Sequence, residues 1–149
     1  NVKVMGYLRC AREVAPIMTE QGWGRIINIS GMASRNTGTV VGSIRNVAVT
    51  AMTKNLAAEL GKHGINATVI HPGMTRTEAT ESVVAKRAVA EGISEEAVEQ
   101  KLAQGNLSGT IIDAADIAYV VAMLASPLSI AINGDGIAAG GGVGTAIYF

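Results

Sequence analysis

Residues 42–46 read GSIRN and open one of the clearest helical patterns in the chain, GSIRNVAVTAMTKNLAAELGKHG. At a helix entrance the first backbone N–H groups point outward without intrahelical partners, so a ligand or a reacting side chain is well placed there. Ser43 brings a hydroxyl to that entrance, Asn46 a carboxamide and Arg45 a cation. A second chemically able residue is His71, in HPGMTRT, before Pro-Gly at the carboxyl end of an expected strand. An imidazole there can titrate near neutrality and reach the cleft that open α/β sheets form outside the carboxyl ends of their strands. No carboxylate lies nearby in sequence to orient it, which favours a structural or ligand-edge contact over catalysis. Cys10 is the single cysteine and there is no Cys/His cluster, so neither an internal disulfide nor a structural zinc site is expected.

Regular elements must position these groups. NVKVMGYLRCAREVAPIMTEQG places Val4, Leu8, Ala11, Ala15 and Met18 at three- and four-residue steps, the apolar stripe of an amphipathic helix ended by Gly22. GRIINIS is apolar nearly throughout, which suits a strand buried on both faces, and GMASRNTGTVVG after it reads as a loop. In the helix entered by GSIRN, Ile44, Val47, Ala48, Ala51, Met52, Leu56 and Leu60 hold the 3.6-residue period until Gly61. INATVIHPG is a second strand, stopped by Pro72 and Gly73.

The stretch from Thr77 to about Gly109 is more polar and predicts one or two helices, the clearer running from Ser94 to Gln104 with Ser94 as N-cap. DAADIAYVVAMLAS adds a helix capped by Asp113, with Ile117, Val120, Val121 and Leu124 on one face. The tail INGDGIAAGGGVGTAIYF gives one short strand among glycines. Strands alternating with helices predict an α/β fold, a parallel sheet covered on both faces. Three strands are few, so GRIINIS is expected to have an unpaired edge where further strands ought to lie.

Composition narrows the function classes. The chain has 149 residues, 48% of them hydrophobic, which is the size and apolar content of one domain with a core. Twelve Lys and Arg balance twelve Asp and Glu without a run of either sign, so neither a nucleic-acid groove nor a polybasic membrane anchor is indicated. No apolar run approaches the roughly 20 residues that span a bilayer, and no signal-peptide pattern opens the chain. A cytoplasmic protein with small-molecule partners, or copies of itself, is the expectation. The sequence starts at Asn1 inside a helical pattern, as a piece of something longer would.

GRIINIS, a loop, a helix ending in TKNLAAELGKHGINATVIHPGMTRT, then ADIAYVVAMLAS and a glycine-rich strand together resemble the C-terminal half of a short-chain dehydrogenase/reductase. The resemblance covers essentially all 149 residues, and LAAELGKHGINATVIHPGMTRT is its most specific part. It implies a Rossmann-type fold binding NAD or NADP, with hydride passing between the nicotinamide and a carbonyl or alcohol. In such proteins the N-terminal half supplies the glycine-rich phosphate turn. The glycines of GDGIAAGGGVG come at the end of the chain and open no helix, so they are not that turn.

The family's catalytic set is an Asn in the helix before the GRIINIS strand, a Ser just after that strand, and a Tyr with a Lys four residues later. Tyr exchanges the substrate's proton, Lys lowers the phenol pKa and binds the ribose, Ser polarises the carbonyl, and Asn anchors a relay water. By this resemblance Asn1 matches the Asn, although an ordinary polar residue is an equal alternative. Ser30 matches the first of two usual serines, and Gly31 replaces the second, catalytic one; Ser30 is either a displaced catalytic hydroxyl or a strand-end hydroxyl bonded to backbone. Gly42 falls on the Tyr position and Asn46 on the Lys position, and sliding the register by one or two residues recovers no tyrosine. Tyr7 belongs to the previous helix, where packing is the expected role. Arg45 sits about 100° round the helix from position 46, as a surface or interface charge.

The resemblance further places Pro72, Gly73, Met74 and Thr75 against the nicotinamide carboxamide and Thr77 against a phosphate, with His71 and Asn46 at the cofactor's edge. Two readings follow. One is an oxidoreductase with an altered proton donor, its half-site formed by Ser30, residues 42–46 with Ser43, His71 and Thr77. The other is a degenerate member that binds a dinucleotide, or nothing, and acts by assembling as a homodimer or homotetramer through helices 1–21 and 43–61.

Overall fold

The structure is a computed structural model that describes residues 2–144. Asn1, and with it the expectation placed there, lies outside the described residues. Helix α1 (Val2–Gln21) leads to strand β1 (Gly24–Ile29), a 3-10 turn at Met32–Ser34, helix α2 (Val40–Leu60) and strand β2 (Ile65–Pro72). The chain continues through β3 (Thr75–Arg76), α3 (Thr80–Glu91), α4 (Glu95–Ala103), β4 (Ile112–Asp113), α5 (Ala114–Ala125) and β5 (Gly136–Ala139).

The main sheet is parallel, in the order β1-β2-β5, with β1 in register from Gly24↔Ile65 to Ile29↔Ile70 and β5 from Val69↔Gly136 to Pro72↔Ala139. Among the described residues β1 pairs on one edge only, as the small number of strands implied, while its residues alternate between buried and half-buried instead of being buried on both faces, because that open edge leaves one face less covered. β2 is the centre, with every residue from Ile65 to His71 buried, which is why INATVIH shows no alternation. Ala11, Ile26, Ala57, Leu60, Ile65 and Ala67 form the core cluster between the sheet and the first two helices. Helix α5, with Leu124 buried, lies against β1 and β2 outside that cluster. A separate small core of Val84, Ala88 and Val98 joins α3 to α4.

The caps expected at Ser94 and Asp113 are present: Ser94 Oγ accepts from Ala97 N–H, and Asp113 and Asp116 form a reciprocal capping box. The short parallel pair β3–β4 was not expected from the sequence; two residues per strand carry no periodicity.

Three expectations need correction. Helix α2 begins two residues before Gly42, because Thr39 caps it by accepting from Gly42 N–H at 3.1 Å. Its inward face is Gly42, Asn46, Val49, Thr53, Ala57 and Leu60, whereas Ile44 and Val47 of the expected stripe are 65% and 49% exposed. In α1 the expected Leu8 is exposed and the inward line near the N-terminus runs through Lys3 and Tyr7 to Ala11. In both helices polar side chains take inward positions because they find hydrogen-bond partners at the carboxyl end of β1, which compensates their burial.

Candidate functional site

The carboxyl ends of β1 and β2, the 3-10 turn and the head of α2 converge. Ser30 leaves β1 with its N–H bonded to Ile70 O at 2.8 Å, and its hydroxyl donates to Asn46 O at 3.0 Å. Asn46 O also accepts from Thr50 Oγ1 at 3.1 Å, so the backbone of the first turns of α2 is tied from two sides. One turn deeper, Asn28 Nδ2 donates to Thr53 Oγ1 at 2.9 Å, and that hydroxyl in turn donates to Val49 O. Two of the residues expected at the site, Ser30 and Asn46, are thus brought together. Ser30 is bonded to backbone, the second of its two alternatives.

Lys3, on α1, reaches the same place. Its ammonium donates to Ser30 O at 2.8 Å and to Asn46 Oδ1 at 3.2 Å. Burial, and then the nearby Arg45 guanidinium, hold the Lys3 amine below the usual lysine range. An ammonium only donates, so the Asn46 atom facing it is the amide oxygen, and Nδ2 turns toward Gly31. A Cβ added at Gly31 would lie 3.4 Å from Nδ2, and Nδ2 makes no hydrogen bond among the described residues. Tyr7 donates to Ile29 O at 3.0 Å, which gives its packing role a polar handle. Lys3 was missed in the sequence because it lies outside the apolar stripe that begins at Val4; its four-residue spacing from Tyr7 and eight from the buried Ala11 was the available signal.

Gly42, at the position the resemblance gives to tyrosine, is buried in the first turn of α2. A Cβ there would stand 2.7 Å from Thr39 Oγ1, so the bare glycine makes room for the cap. Ser43 is half-buried beside it, with no side-chain hydrogen bond among the described residues. Arg45 is exposed and lines, with Lys3, Tyr7 and Cys10, an open cavity of about 610 Å³.

His71 is 1% exposed and its Nδ1 lies 2.9 Å from Ser34 Oγ. Ser34 donates its one hydroxyl proton to Gly31 O at 2.9 Å, so both contacts are hydrogen bonds only if His71 carries its proton on Nδ1 and donates to Ser34. Burial first, then the Arg35 guanidinium and Lys3, hold the imidazole below its usual pKa against a raising contact with Gly31. Arg35 itself donates to Gly136 O at 2.7 Å. The ring therefore ties the 3-10 turn to β2, and Ser34 and Arg35 are site-shaping residues that GMASRNTGTVVG did not reveal, since loop composition carries no contact information.

Beyond His71 the chain turns across the end of β5. Pro72 pairs with Ala139, and Gly73 sits against Gly140 so closely that a Cβ would lie 2.9 Å from Gly140 Cα and 2.8 Å from Val143 Cγ2. Met74 is half-buried at the bend, and Thr75 Oγ1 donates to Gly73 O at 3.2 Å. Thr77 N–H donates to Thr80 Oγ1, and the Thr77 side chain is exposed, with no hydrogen bond among the described residues. The carboxyl-end placement, the Thr77 hydroxyl and the Asn46 amide fit the polar donors that one end of a dinucleotide requires. The glycines after Asn133 instead lie in or beside β5 and open no helix among the described residues. Among the described residues no three His, Cys, Asp or Glu side chains converge as metal ligands, and no helix is long and apolar enough to cross a membrane.

A parallel α/β sheet with polar side chains gathered at its carboxyl ends is the C-terminal portion of a Rossmann-type, short-chain dehydrogenase/reductase arrangement. The family described as Enoyl-(Acyl carrier protein) reductase matches residues 1–144, and the chain belongs to it. It is 38% identical over 144 residues to NADPH-dependent aldehyde reductase 2, chloroplastic, of Arabidopsis thaliana, covering 95% of this chain and 49% of that protein. It is 32% identical over 143 residues to Short-chain reductase protein NovJ of Streptomyces niveus, covering 95% and 53%. Among solved structures it superposes on YwfH, an NADPH-dependent reductase involved in bacilysin biosynthesis, with a TM-score of 0.87 at 26% identity, over 97% of this chain and 56% of that one. The chain thus spans about half the length of the relatives it matches.

Proposed function

We propose that the protein carrying this chain is an NAD- or NADP-dependent oxidoreductase acting on a carbonyl or alcohol through an altered active site. The observation that carries the reading is the joining of Ser30 and Asn46 at the carboxyl end of the parallel sheet, in a chain whose family and relatives are reductases. A bound nicotinamide dinucleotide supplies or accepts the hydride. Gly42 and Asn46 stand where the family keeps Tyr and Lys, so the proton on the product oxygen comes from water.

The chain's own part is to meet the charge that develops on that oxygen. Asn46 Nδ2, facing the space left by Gly31, is a preorganised donor for it, and the Ser43 hydroxyl is a second. Ser30 holds the Asn46 backbone rather than reacting. The backbone from Pro72 to Thr75 and the Thr77 hydroxyl receive the cofactor, and His71 sets the shape of that edge through Ser34. By the resemblance, Asn1 is the residue that anchors a relay water.

The test is to titrate the intact protein with NADH and NADPH, then follow cofactor oxidation over a panel of aldehydes and ketones. Turnover that falls at least tenfold in Asn46→Ala sustains the reading. Binding without turnover across the panel overturns it in favour of a second reading, a non-catalytic dinucleotide binder that works by assembly.

A specific observation favours that second reading. Val40, Val41, Ile44 and Val47 expose an apolar strip on α2, and an apolar groove of about 960 Å³ runs between α1 and α2 past Met5, Leu8 and Leu56. A homodimer or homotetramer joined through these two helices would cover both. Light scattering of the intact protein and of Ile44→Glu separates an assembly from a monomer.

A further inference from the structure

We infer that Lys3 is the positioning residue of this site: an ammonium delivered from α1 that holds the Asn46 carboxamide with its N–H toward the substrate oxygen. The inference rests on the oxidoreductase reading for its consequence in catalysis, but not for its geometry. Position 46 carries no charge of its own, and Lys3 Nζ stands 3.2 Å from Asn46 Oδ1 and 2.8 Å from Ser30 O. These two bonds link the three elements that frame the cleft, α1, the end of β1 and the head of α2.

An asparagine amide can present either its oxygen or its nitrogen to a cleft, and the two are close in shape. Presenting the oxygen would repel a developing oxyanion. Lys3 settles the choice, because it offers only N–H groups and so captures Oδ1. The freed Nδ2 faces Gly31, where an added Cβ would stand 3.4 Å from it. The positive charge also polarises the amide, which strengthens the N–H as a donor. No carboxylate pairs with Lys3 among the described residues, and the charged side chain facing it is Arg45, so its charge is not spent on a neighbouring anion.

The experiment uses the intact protein with Lys3→Met and Lys3→Arg, checked for folding by circular dichroism. Two readouts are taken: the side-chain amide resonance of Asn46 in asparagine-labelled protein, assigned with Asn46→Asp, and steady-state oxidation of NADPH over the carbonyl panel. Lys3→Met is expected to shift the Asn46 amide resonance and to lower kcat at least tenfold, with KM for NADPH changed less than twofold. Lys3→Arg is expected to restore most of both. An unmoved Asn46 resonance in a folded Lys3→Met protein overturns the inference, as does an unchanged kcat in an active protein. If the wild-type protein oxidises no NADPH, the oxidoreductase reading fails by itself, and the amide resonance alone then decides whether Lys3 orients Asn46.

Discussion

Around the head of α2 the buried contacts are polar: Ser30 to Asn46, Lys3 to both, and Asn28 to Thr53. Where α3 meets α4 the buried contacts are Val84, Ala88 and Val98, and the charges lie outside, as Arg76 with Glu99 and Glu91 with Arg87 and Lys101. The second region follows the ordinary division of apolar inside and charged outside. The first departs from it, because each inward polar group has a partner at a strand end. Residues held by a few directional bonds keep a defined geometry but lose it when one partner goes, whereas exposed ion pairs are exchanged for water at little cost.

The contrast can be broken or sharpened by substitution. The largest effect is expected in the central strand, at the fully buried Ile70 of β2. Ile70→Ala should cost about 2–5 kcal/mol, read from urea unfolding. Next is the polar layer itself. Thr53→Val leaves the Asn28 amide without its partner at a fully buried position and should cost about 1–3 kcal/mol. A near-neutral result would mean that this layer behaves like the α3–α4 core after all.

A smaller effect is expected from pH. His71 is held below its usual pKa by burial, Arg35 and Lys3, so it folds neutral. The unfolded chain binds the proton near a pKa of about 6.5, so unfolding takes up protons below that value. The contribution is complete above pH ~6.5 and is lost as the pH falls through that point toward the lowered folded pKa. Thermal melts from pH 7.5 to 5 should show this decline, and His71→Gln should flatten it. The smallest effect belongs to the exposed pair: Glu99→Gln, which removes the charge facing Arg76 at 2.7 Å, should leave the melting temperature within measurement error. A clear drop would show that the ion pairs, and not Val84 and Val98, hold the helical pair together.

Much of the frame was legible in the chain. INATVIHPG was legible as a strand stopped by Pro72 and Gly73, Gly22 and Gly61 marked the ends of the first two helices, and Ser94 and Asp113 announced their helices through short-range capping chemistry. Helix α2 was legible as a helix but not as to its faces, since its apolar residues run round most of its circumference and its inward line includes Asn46 and Thr53. The site was legible in part. Ser30 and Asn46 were named through resemblance to a family pattern, and the fold brings the two together. Lys3, Ser34 and Arg35 were not, because their partners lie 27 or more residues away in the sequence.

By itself, then, the sequence determined what depends on neighbours along the chain: element types, caps, breaks, and the absence of tyrosine and lysine at positions 42 and 46. Tertiary structure alone decided which polar groups meet. A lysine on α1 and an asparagine on α2 are unrelated in sequence, and only packing both helices against the end of β1 brings them within 3.2 Å. Burial then acts on that meeting, since a polar group removed from water must find a partner, and the partner it finds fixes which atom it presents to the cleft.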